Sequence, residues 1–138
     1  MNQIKLIFGT LIYVAFGCNY STETYKEGKI LFTSQCAGCH GELFDGLGKL
    51  YPSLKDITYI KSKRGELACW IHQGIGTDGG AFHMRHSDLP MPPISRLSAI
   101  EITNILNYVN SQIWKMEAFN IQEIEATLNT CPEIKKQQ

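Results

Sequence analysis

The chain has no excess of charge of either sign: 13 Lys and Arg balance 13 Asp and Glu across 138 residues. It has no long basic run either, so the electrostatic footprint of a nucleic-acid binder is missing. No segment alternates apolar and polar residues at period two, and no internal repeat recurs, so neither half-buried strands nor a repeat architecture is expected. The first cysteine pair has no second Cys/His pair at short spacing, which argues against a structural zinc site. These absences leave one small domain with room for a single core, built from helices.

Cys36-Ala37-Gly38-Cys39-His40 organises the rest of the chain. Two cysteines three residues apart project from nearly the same face of a helical turn. Each thiol can add across one vinyl group of a haem, and the histidine that follows is then brought beneath the iron. This is the pattern of c-type haem attachment. The competing reading, a thiol redox pair, would follow a strand in a βαβ unit, and no such unit is legible here. Cys36 and Cys39 are therefore expected to tether one haem c, with His40 as the proximal ligand.

The amino-terminal stretch reads as a targeting segment. Lys5 precedes an apolar run of eleven residues, Leu6 to Phe16, which has the length of a signal-peptide core and is too short to span a bilayer as a helix. Small residues at Ala15 and Gly17 suit cleavage before Cys18. Ala-Phe-Gly-Cys resembles a lipobox, which would put lipid on Cys18; ordinary signal peptidase could cut the same bond, and an uncleaved short anchor is the third reading. The expected division is a signal peptide over 1–17, a polar tether over 18–23, a folded domain over 24–131 and a flexible tail over 132–138. Cys69 and Cys131 remain as an even pair. Export would let them form a disulfide, and two buried thiols are the alternative.

Within the domain, Thr22 or Thr24 could cap a helix starting near Tyr25 that carries the cysteines near its end, with Gly41 as a stop. Gly41, Gly46, Gly48 and Pro52 mark a wrapped loop. Ser62 to Gln73 is predicted helical, with Leu67, Trp70 and Ile71 on one face and Gly74 at its end. Gly74-Ile75-Gly76-Thr77-Asp78-Gly79 spells a dinucleotide fingerprint. It follows a helix rather than a strand and leads into a loop, so it reads as a flexible turn. Ser98 with Glu101 forms a capping box for a helix to about Trp114, and Asn120 with Glu123 repeats the signal for a last helix.

The sixth iron ligand is sought among His83, Met84, His86 and Met91. Pro90, Pro92 and Pro93 hold Met91 on a stiff extended loop. A thioether held that way can meet iron opposite His40, so Met91 is expected to be the ligand.

Taken together, residues 24–131 resemble a bacterial class I cytochrome c. That family has an all-α fold in which a first helix leads into C-x-x-C-H and a last helix packs across it. Cys36, Cys39, His40 and Met91 match its haem and iron positions, and Pro52 resembles the proline whose carbonyl meets the proximal histidine. Gly28 and Tyr108 resemble its glycine–aromatic crossing. The resemblance implies an electron carrier, not an enzyme, in the periplasm or cell envelope. It would serve redox partners such as an oxidase, a reductase or a dehydrogenase. A ligand-binding haem sensor or peroxidase-like protein with a labile sixth site is the alternative.

Overall fold

The computed structural model describes residues 25–76 and 89–132. Among them the chain forms six α-helices: α1 Lys26–Gln35, α2 Ala37–His40, α3 Ile57–Ser62, α4 Leu67–Gln73, α5 Ala99–Val109 and α6 Ile121–Asn129. A 3-10 turn, Arg64–Glu66, precedes α4, and a π turn, Asn110–Trp114, prolongs α5. Among the described residues β-structure is limited to isolated antiparallel bridges, Leu47 with Tyr51 and Ile75 with Met91. The all-α expectation therefore holds.

Helix α5 is the centre of the core. Ser98 and Glu101 make both halves of the capping box, the Ser98 amide donating to Glu101 Oε2 at 2.8 Å while Ser98 Oγ accepts from the Glu101 amide. The helix buries Ile102, Ile105, Leu106 and Val109. Helix α1 crosses it at Gly28, which is buried against the Asn104 carbonyl. A Cβ at Gly28 would also stand 2.8 Å from the Tyr108 Cβ, so glycine alone allows this approach. Phe32 sets its ring, tilted, 4.9 Å from that of Phe44 and 5.7 Å from that of Tyr108, which carries the contact into the loop after His40.

Helix α1 starts beside Tyr25 as expected, while its cap and two other boundaries differ from expectation. Helix α1 is capped by Tyr25 in the left-handed region (φ 68°) with no side-chain cap; Thr22 and Thr24 lie outside the described residues. The cysteines do not sit on that helix, because Cys36 (φ −119°) interrupts it and α2 restarts as a single turn. The helix expected from Ser62 begins only at Leu67, and a separate helix, α3, precedes it with Asp56 accepting from the Tyr59 amide. Its six residues are too few to show an apolar period, and Asp56 was its one signal.

The carboxy-terminal segment wraps back onto α4. Arg64 forks onto Glu123, with Nε and Nη2 at 3.1 and 3.0 Å from the carboxylate oxygens, and donates to the Glu117 and Ala118 carbonyls. Its guanidinium lies 3.8 Å over the Phe119 ring. Asn107 meets both backbone groups of Phe119 at 2.8 Å. A disulfide joins Cys69 to Cys131 with Cα atoms 5.6 Å apart, so of the two readings of that pair the bond is the one formed.

Candidate functional site

The helices enclose an apolar cavity. Its walls include Phe32 from α1, Leu67, Trp70 and Ile71 from α4, and Ile105, Leu106 and Val109 from α5. Cys36, His40, Pro52 and Met91 face the same space. The empty volume, its open mouth included, is about 740 Å³. Interiors otherwise pack as densely as organic crystals, so a concave hollow with apolar walls has the character of a ligand site. Cys39 lies on a smaller adjoining pocket with His40, Tyr51, Pro52, Leu89, Pro90 and Met91.

His40 is held by the loop that follows it. Its amide closes α2 on the Cys36 carbonyl, and its carbonyl accepts from Gly46 at 2.9 Å. Its ring Nδ1 lies 3.1 Å from the Pro52 carbonyl. A carbonyl only accepts, so Nδ1 carries the proton and Nε2 keeps its lone pair. Burial lowers the imidazole's basicity, against a smaller upward pull from the Pro52 bond, so the ring stays neutral. A neutral imidazole with one nitrogen pinned to a carbonyl is the form that binds metal.

Cys36 and Cys39 are not joined to each other by a disulfide and are only partly buried. Burial, with Cys39 beside it as a second cause, pushes the Cys36 thiol up to about 11. It is therefore protonated at neutral pH and poor as a redox nucleophile, which argues against a thiol–disulfide pair.

Met91 reaches the cavity from the other chain segment. The prolines are only part of what fixes it. Its amide and carbonyl both pair with Ile75 at 2.9 Å, and Ile94 donates to the Ile71 carbonyl at 2.9 Å. Gly74 makes this docking possible: its backbone (φ 79°, ψ 179°) is a glycine conformation, and a Cβ there would lie 2.5 Å from the Met91 carbonyl. The stretch read as a flexible turn is thus, at Gly74 and Ile75, the seat of the Met91 loop. His83, Met84 and His86 lie outside the described residues.

The arrangement fits a haem. The Cys36 thiol, the neutral His40 imidazole and the Met91 thioether line one apolar hollow, and Cys39 lies on the pocket that adjoins it. Cys36, Cys39, His40, Pro52 and Met91 are brought together, while Cys18 lies outside the described residues. Sequence reading did not anticipate Ile75, nor Leu54 and Trp114, which also line the cavity. Ile75 carries no chemical signature, since its part is played by backbone groups.

The family model described as Cytochrome c matches residues 25–112. No curated protein matches the chain.

Proposed function

The chain belongs to the cytochrome c family, and on that premise we propose that it carries single electrons between proteins of the bacterial cell envelope through one haem ligated by His40 and Met91. Haem c is the family's covalently attached cofactor, and its role is electron transfer. When bound, the haem supplies a one-electron change at iron. The observation that supports His/Met ligation is that one apolar cavity takes in the neutral His40 ring and the bridged Met91 loop. With His40 and Met91 both holding the iron, no position would remain for a substrate, and sulfur ligation would favour the reduced iron.

Cys36 and Cys39 hold the haem by thioethers, and the Pro52 carbonyl orients His40. The remaining walls exclude water. Exposed Leu43 and Leu47 follow the segment carrying the cysteines and offer an apolar approach to a redox partner such as an oxidase, reductase or dehydrogenase. Among the described residues no helix is long and apolar enough to cross a membrane. Export through the 1–17 segment, with or without lipid on Cys18, accounts for an envelope location.

Met91→Ala tests the ligation. It should abolish the near-infrared sulfur–iron band of the oxidised protein, open the reduced protein to carbon monoxide and lower the midpoint potential; axial ligands move haem potentials over about 0.8 V. Retention of the band would refute Met91. Ready binding of carbon monoxide by the unaltered protein would favour the ligand-binding sensor or peroxidase-like alternative.

A further inference from the structure

Trp114 stands just past the residues matched by the family model and closes the cavity from the far end of α5. The π turn Asn110–Trp114 sets its direction. One extra residue in the turn re-aims the side chains beyond it, and such turns recur at functional positions. Lys115 then leaves in the left-handed region (φ 54°), ending the helix directly after the tryptophan. The indole is 5% exposed, and its Nε1–H donates to the Leu54 carbonyl at 2.8 Å.

Leu54 is two residues from Pro52, whose carbonyl takes the His40 Nδ1–H. The intervening segment is fixed at few points. The Leu54 amide and the Ser53 hydroxyl both donate to the Phe44 carbonyl, at 3.0 and 3.1 Å. Pro52 has no N–H to add. The Trp114 indole adds a hydrogen bond from the end of the α5 segment, across 60 residues of sequence, to the packing of the Leu54 side chain against the core.

We infer that Trp114 is a positioning residue for the proximal ligand: its indole N–H, through the Leu54 carbonyl, sets the Pro52 carbonyl against His40 and so tunes the iron. The inference rests on the proposed ligation by His40. A firm Nδ1–H···O=C bond makes the ring a stronger donor at Nε2 and favours the oxidised iron. Loss of the indole N–H leaves the Leu54 carbonyl seeking water. The segment then moves toward solvent, the Pro52 bond lengthens, and the midpoint potential rises.

The test is Trp114→Phe in the full-length holoprotein, which keeps an aromatic wall, though a smaller one, and removes the donor. Two readouts apply: the midpoint potential, and the solvent exchange of the His40 Nδ1–H followed by NMR in the reduced state. The potential should shift upward, and the exchange should quicken about fivefold, the equivalent of one hydrogen bond. A lower melting temperature with both readouts unchanged would overturn the inference and leave Trp114 a packing residue. A wild-type check needs no variant: rapid exchange of the Trp114 indole proton, at the rate of an exposed tryptophan, would overturn it too. If the wild-type spectrum lacks the strongly shifted ring resonances of an iron-bound His40, the proposed ligation falls first and this inference with it.

Discussion

Gly74→Ala puts the seat of the Met91 loop to a direct test. The backbone at Gly74 (φ 79°, ψ 179°) lies in a region reserved for glycine, which costs another residue about 1–3 kcal/mol. The added methyl would also meet the Met91 carbonyl at 2.5 Å and the Pro93 nitrogen at 2.8 Å. Both are backbone atoms and cannot rotate away. Two ways of relieving the clash compete. Helix α4 could unwind its last turn, but that exposes Trp70 and Ile71, buried apolar side chains worth about 1.5–3 kcal/mol each. The Met91 loop could instead lift off Ile75, giving up two backbone hydrogen bonds at about 1 kcal/mol apiece. Lifting the loop is the cheaper route. The variant should therefore lose only a few kcal/mol of stability yet weaken the sulfur–iron band of the oxidised protein and admit carbon monoxide to the reduced one. Thermal melting and the two spectra on one sample decide the matter. A destabilised protein with its sulfur–iron band intact and no carbon monoxide binding would show that the bridge does not hold Met91.

Replacing Cys69 and Cys131 together by serine opens a bond that spans 62 residues; the chain-entropy value for such a loop is about 4 kcal/mol. The melting temperature should fall, and mass spectrometry of the unreduced, alkylated wild type should find no label on either residue; label on both would refute the bond. The Ser98 hydroxyl and amide hold the Glu101 carboxyl below the usual carboxylate range. Its stabilising effect is therefore present above its unfolded-state pKa and is lost as pH falls through the lower folded value. Glu101→Ala should melt below the wild type at neutral pH, with the gap closing in acid, and a gap independent of pH would contradict the capping account. If Cys18 carries lipid, Cys18→Ser should move the protein from the membrane fraction to the soluble envelope fraction. An unmodified Cys18 in the mature amino-terminal peptide would rule the lipid out.

What could be read in the sequence follows the kind of group doing the work. Side-chain chemistry was legible: C-x-x-C-H marks its own residues, Ser98/Glu101 and Asn120/Glu123 mark caps, and both caps are formed as read. Gly28 was legible through the resemblance, and its place against Tyr108 bears this out. Backbone pairing was not. Ile75 holds Met91 through its amide and carbonyl, groups every residue but proline has, so nothing in its identity announces the bridge. The same applies to Leu54 as the acceptor for Trp114. Helix boundaries failed where short turns abut, at Cys36 and at Lys63–Glu66, because a period needs more residues than these turns contain.

That division has a functional reading. On the proposed ligation, neither axial side chain is secured by its own element alone. His40 leans on the Pro52 carbonyl and Met91 on the Ile75 backbone. A one-electron carrier is served by ligands that stay put in both oxidation states, since any displacement must be repeated at every transfer. Backbone bonds suit that need better than side-chain ones, because a carbonyl within a packed loop has no rotamer to change. The two supports also start from different parts of the chain. Gly74 and Ile75 follow α4, which the disulfide and Arg64 fasten to the carboxy-terminal segment. Pro52 and Leu54 precede α3 and are tied by Trp114 to the end of α5. The segment beyond residue 112 therefore bears on both sides of the cavity: the disulfide through Cys131 reaches the methionine side, and Trp114 reaches the histidine side.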